Sequence, residues 1–220
     1  MISIPILGGA HKDIPLEPSS GVKVADFIVD TGASTVLDVS EFTGGEQAKF
    51  VTDFARHLFE RKKKSPSPML LIWEEAQEFV PQNVFRDSAR MVGAVERIAK
   101  VGRNFGIGTG LISQRPQEVN KTVLNQTEVL FVYQTTGPHE RKAIEGWIVE
   151  HDLDLSKVVE ELPSMPQGTG YIWSPQWLHA FKKIKCLAKR TYDASATPEF
   201  KGKGRSQVEL APIDLKKLET

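Results

Sequence analysis

The sequence has 220 residues, 40% hydrophobic and 25% charged, and its 28 basic side chains are balanced by 28 acidic ones. That profile belongs to a globular chain long enough to bury a core, and it excludes a disordered polypeptide and a uniformly basic nucleic-acid coat, leaving room for a local basic patch. The single cysteine, Cys186, excludes an internal disulfide and a cysteine-rich zinc cluster and fits a reducing cytoplasm. No apolar run approaches the ~20 residues of a membrane span, and the opening MISIPILGGAHKD lacks the pattern of a secretory signal.

In chain order, residues 5–20 (PILGGAHKDIPLEPSS) read as loop, rich in Gly, Pro and Ser. Residues 24–29 read as helix and 35–39 (TVLDV) as a strand. Phe50, Val51, Phe54, Ala55, Leu58 and Phe59 then recur at helical spacing, with Lys49, Asp53, Arg56 and Glu60 on the other faces. This helix is expected to stop in Arg61-Lys62-Lys63-Lys64, where cations suit the carbonyl end, before Ser65-Pro66-Ser67-Pro68 breaks it. Residues 69–73 (MLLIW) form a continuous apolar run, the pattern of a parallel strand buried on both faces. A helix is expected over 86–101, a strand within 107–112 despite its glycines, a helical turn over 120–125, a strand over 129–133 and a helix over 140–149. Two β-type segments follow, at 170–173 and 180–187, and from Thr197 onward the polar, Gly- and Lys-rich composition predicts a mobile tail with a last helical turn near Asp214. The domain is therefore expected over 1–196 and the tail over 197–220. Strands alternating with helices predict an α/β fold, a mostly parallel sheet with helices on both faces, with ligands at the carboxyl ends of its strands.

Three strand or helix ends carry candidate chemistry. The apolar run at 69–73 delivers Glu74 and Glu75 side by side, followed by Ala76 and Gln77. Carboxylates at the end of a buried strand need a cation, a metal or solvent, and such a pair can hold a hydrated Mg²⁺ and orient a water. The alternative is an ordinary strand-to-loop junction with two exposed glutamates. The segment GTGLISQRP ends in Ser113, Gln114 and Arg115, which a parallel sheet would set beside Glu74 and Glu75; Gln114 could orient a water or read a phosphate, and Arg115 could compensate acidic charge. A polar loop is the plain alternative. At the end of the 86–101 helix, Arg103 in VGRNFG could reach a phosphate on a neighbouring subunit or simply bind helix-end carbonyls.

Taken together, LLIWEEAQEF and RIAKVGRNFGIGTGLISQRPQEVNKTVLNQT resemble the Walker B strand, following helix, sensor strand and SQRP loop of the HerA/FtsK superfamily of ring-forming, RecA-like DNA-translocating ATPases, its HerA branch above all. The resemblance extends upstream through DIPLEP and TVLDVSEF and downstream to about Lys189. It implies ATP and Mg²⁺ as cofactors, DNA as partner, a hexameric ring of identical subunits and a nuclease or other effector partner. Glu74 stands where the family usually has the Mg²⁺-holding Asp, Glu75 where it has the catalytic Glu, and Gln77 where it often has His. Gln114 is the implied sensor, and Arg103 or Arg115 the arginine acting across the subunit interface. One departure is large: no G-x-x-x-x-G-K-[ST] occurs, and Leu7-Gly8-Gly9-Ala10-His11-Lys12-Asp13 lacks its ending and its strand-to-helix setting. The resemblance thus implies a partial RecA-like P-loop domain without its first strand and phosphate loop. Either a companion chain carries Walker A, or the chain is a non-catalytic truncated or split-subunit protein.

A rival motif is Asp30-Thr31-Gly32-Ala33-Ser34, similar to the active-site loop of retropepsin-like aspartic proteases, which need two such aspartates. The five histidines show no metal-ligand spacing, and Ser40 and Ser113 lack evident triad partners. Lys182, Lys183, Lys185, Lys189 and Arg190 form a basic run that reads as a solvated strand face before a DNA contact. Trp147, Trp173 and Trp177 read as core or interface anchors.

Overall fold

A computed structural model describes residues 4–148 and 155–188. The tail expected over 197–220, and Lys189 and Arg190 of the basic run, lie outside the described residues.

The first helix, α1 (Gly21–Thr31), ends where Gly32 turns left-handed at φ 64° and returns its N–H to Ile28 O at 3.0 Å. It follows β1 (Ile6–Leu7), a short strand that the Gly- and Pro-rich composition of its surroundings hides, and leads to β2 (Val36–Leu37), which pairs in parallel with β1. The long helix α2 (Gly44–Lys64) opens on a capping box: Glu46 N–H donates to Thr43 Oγ1 at 3.4 Å, and Thr43 N–H to Glu46 Oε2 at 2.9 Å. Its last-turn cations do more than cap. Arg61 donates to Asp26 and Asp30 of α1, and buried Lys62 ties the turn before the next strand by donating to Ser67 O and Oγ.

The central pair is β3 (Met69–Glu74) and β4 (Ile107–Ile112), parallel and in continuous register from Met69↔Ile107 to Glu74↔Ile112. Between them runs α3 (Ala89–Val101), which packs against α2. The main core joins Val24 and Ala25 of α1, Phe50, Phe54 and Leu58 of α2, Trp73 of β3 and Met91, Val92 and Val95 of α3, with Leu71 and Leu111 partly buried against it. Complete burial of β3 is not what the chain achieves. The alternate residues Leu70 and Ile72 are 67% and 56% exposed, as is Ile112 of β4 at 53%. The apolar run encodes a strand made for two covered faces, and the described residues cover one.

After a short helix α4 (Lys121–Leu124), the strand β5 (Leu130–Val132) pairs antiparallel with β6 (Thr169–Ser174), and β6 with β7 (Ala180–Lys185). Helices α5 (Pro138–Ile148) and α6 (Leu155–Glu161), the second not anticipated from the sequence, come between β5 and β6. Val132, Ile144, Leu162 and Met165 form a second, smaller core there. The fold is α/β with parallel strand pairs and helices, but the single mostly parallel sheet expected with helices on both faces is replaced, among the described residues, by two parallel pairs and one antiparallel sheet of three strands. No helix among the described residues is long and apolar enough to cross a membrane.

Candidate nucleotide-hydrolysis site

The parallel register of β3 and β4 sets their carboxyl ends level, so the residues after Glu74 and after Ile112 face each other. Glu75 leaves β3 with φ 51° and ψ 55°, a left-handed conformation uncommon for a side-chain-bearing residue, and begins a short 3₁₀ turn over Ala76–Glu78. That bend separates the twin glutamates. Glu74 stays in the strand, exposed, on the same side as Leu70 and Ile72; Glu75 is half-buried and turned toward the tip of β4.

Both Glu75 oxygens accept amide hydrogens. Gln77 Nε2 donates to Oε2 at 2.9 Å, and Gln114 Nε2 donates to Oε1 at 3.0 Å. Gln77 is in turn held: its Oε1 accepts from Ser113 Oγ at 2.6 Å, and Ser113 Oγ accepts from Arg115 N–H at 2.9 Å. The two loops are laced further on, where Gln82 N–H donates to Glu118 O at 2.6 Å and Asn120 N–H to Val80 O at 2.8 Å. An oriented carboxylate with neutral amides on both oxygens can take up a proton from a water, and an amide at an exposed tip can turn to a new acceptor.

The structure therefore brings together Glu75, Gln77 and Gln114, with Glu74 one residue away. It does not bring the two arginines. Arg115 pairs with Glu118 at 3.5 Å rather than compensating Glu74 or Glu75. Arg103 pairs with Glu128 at 2.7 Å at the opposite end of β4, about 20 Å from Glu75 by strand length, so within one subunit it is remote from the site. Ser113, which the sequence sets at the same strand tip as Gln114 but gives no role, is the residue whose part in the site only the Ser113–Gln77 hydrogen bond shows. Asp30 lies in the last turn of α1 with its carboxylate on Arg61, so the protease reading fails: the aspartate is helical and ion-paired, not in a β-loop facing a twin. Among the described residues no group of three or more His, Cys, Asp or Glu side chains could hold a metal ion. A single exposed carboxylate such as Glu74 suits only a hydrated ion that draws its other ligands from water and phosphate, as Mg²⁺ does.

Parallel strand pairs with helices on them make an α/β fold of the kind found in P-loop NTPases. The genome packaging NTPase B204 from Sulfolobus turreted icosahedral virus 2, solved with ATPγS, shares it with a TM-score of 0.56 at 16% identity over 84% of each chain; its form with AMPPCP gives 0.55. No family model matches the chain. Among curated proteins it is 30% identical over 172 residues to the probable helicase MJECL08 of Methanocaldococcus jannaschii, 72% of this chain and 32% of that protein. It is 37% identical over 105 residues to the probable DNA double-strand break repair helicase HerA of the same organism, and 32% over 106 residues to HerA of Pyrococcus furiosus. The chain thus spans about a third or less of the length of these relatives, 32%, 20% and 18%. Over the matched stretch the chain is a HerA-like domain, similar in sequence to one part of these helicases.

Proposed function

We propose that the chain supplies the water-activating and phosphate-sensing half of an ATP-driven DNA translocase or helicase of the HerA type. The observation that carries this is the Glu75 carboxylate held between Gln77 and Gln114 at the ends of two adjacent parallel strands. In this reading Glu75 polarises the attacking water and takes its proton, and Gln114 leaves Glu75 to read the terminal phosphate. Glu74 is the residue to hold Mg²⁺, whose contribution when bound is to neutralise charge on the phosphates. DNA as the polymer is supported by relatives named as DNA repair helicases and by a genome packaging neighbour. A hexameric ring in a reducing, cytoplasmic setting would let Arg103 or Arg115 act on a neighbour's nucleotide, a role that the distance of Arg103 from its own Glu75 is consistent with. A nuclease or other effector would complete the machine.

The phosphate grip itself is absent from these 220 residues, which contain no G-x-x-x-x-G-K-[ST]. It would come from sequence outside them or from a companion chain. The same absence favours a second reading, a binding-surface subunit without turnover. The deciding experiment is Mg²⁺-dependent ATP hydrolysis by the chain alone and with a polypeptide carrying the phosphate loop. No turnover alone, turnover on mixing, and a loss of about 100-fold or more in Glu75→Gln are expected. Turnover in neither case supports the binding-surface reading, and robust turnover by the chain alone removes both.

A further inference from the structure

We propose that Ser113 is a positioning residue that makes Gln77 a fixed clamp on Glu75 and leaves Gln114 as the releasable one. The inference rests on the reading of Glu75 as the residue that activates water, and it assigns a role to a side chain with no partner for nucleophilic chemistry of its own.

The direction of each hydrogen bond follows from the donors present. Arg115 N–H can only donate, and it fills an acceptor position on Ser113 Oγ at 2.9 Å. The Ser113 hydroxyl hydrogen is then aimed at Gln77 Oε1, 2.6 Å away. A carboxamide whose oxygen is held in this way presents its NH₂ in the other direction, here to Glu75 Oε2 at 2.9 Å. Without the hydroxyl, Gln77 could rotate its carbonyl toward Glu75, two acceptors facing each other, or swing into solvent. Gln77 is tied at both ends and half-buried, whereas Gln114 is exposed and its side chain makes, among the described residues, the single hydrogen bond to Glu75. The two amides on one carboxylate are therefore unequal. Gln114 is free to exchange partners while Ser113 and Gln77 keep Glu75 aimed, so the carboxylate loses one of its two clamps and not its direction.

The test is a double-mutant cycle in the chain assembled with a phosphate-loop polypeptide. Ser113→Ala is expected to lower kcat about tenfold, the weight of one hydrogen bond at a charged group, with KM for ATP unchanged. Ser113→Thr, which keeps the hydroxyl, is expected to restore it. In a Gln77→Ala background Ser113→Ala is expected to cost nothing more, because its effect passes through Gln77. Additive losses, or no rescue by threonine, would overturn the proposal. Should the assembly show no ATPase, the proposed function fails by itself, and crystals of the chain decide the role of Ser113. Ser113→Ala is then expected to free the Gln77 side chain from Glu75 with Gln114 still in place, and an unmoved Gln77 overturns it.

Discussion

A few single residues set the geometry on which the site depends. Gly106 ends the turn before β4 at φ 83°, its carbonyl accepts from Met69 N–H at 2.8 Å, and a Cβ there would lie 2.3 Å from Ser67 O. It is thus the point where β3 and β4 are brought together at their amino ends. Gly106→Ala combines left-handed strain with a clash against backbone and is expected to destabilise the fold by about 3 kcal/mol. Gly32→Ala, at φ 64° with nothing within 4 Å, is expected to cost only about 1 kcal/mol. Denaturant midpoints for the two variants check the contrast; equal shifts would contradict it. Position 75 shows the opposite choice, a glutamate in a conformation that glycine adopts without cost, and it is the bend there that turns one carboxylate to the tip of β4 and leaves its neighbour in the strand.

Between elements, ionisable groups fasten what the small cores cannot. Tyr171 of β6 donates to Glu161 at the end of α6, and Lys183 of β7 donates to the same carboxylate. Lys183 first, then Tyr171, holds the Glu161 carboxyl below the usual carboxylate range, and the Tyr171 phenol, bound to that carboxylate, is pushed up to about 12. A phenol raised on folding contributes stability in full below its unfolded value near 10 and loses it as pH climbs to about 12. The lowered carboxyl works in the other sense, contributing above its unfolded value near 4.5 and fading as pH falls through the folded one. Absorbance titration of tyrosinate is therefore expected to show a phenol ionising near pH 12 that disappears in Tyr171→Phe; an unchanged curve would contradict the contact. Most elements were legible because their signals are local. The 50–59 periodicity lies within α2, MLLIW forms β3, and the GTGLI glycines did not prevent β4, since its register with β3 suits small residues. What escaped depends on distant chain. Burial of Leu70 and Ile72 is decided by whatever lies on the outer face, α6 is a short VVEE segment without a clear stripe, and Arg103 and Arg115 found Glu128 and Glu118, acids with no special mark in the sequence. The cluster of Glu75 with Gln114 was legible from strand order alone; its Ser113–Gln77 link needed coordinates.

For the molecule as a whole, the dominant feature is the face of β3 and β4 that the described residues leave uncovered. Leu70, Ile72 and Ile112 lie on it with Gly108 and Gly110 between them, a surface too apolar to remain idle in water. The chain alone is expected to self-associate with rising concentration, and Leu70→Lys with Ile72→Lys to reduce this without unfolding the helices. Sedimentation and circular dichroism check both, and a monomer at every concentration would mean the face is tolerated. The unbroken ladder from Met69↔Ile107 to Glu74↔Ile112 has another consequence. Because side chains alternate along a strand, one inserted residue in β4 would carry Gln114 about 3.3 Å onward and swing it to the reverse of the sheet. Acid and amide would then both survive in the sequence with nothing to say to each other, so strand length here is as much a determinant of chemistry as the identity of either side chain.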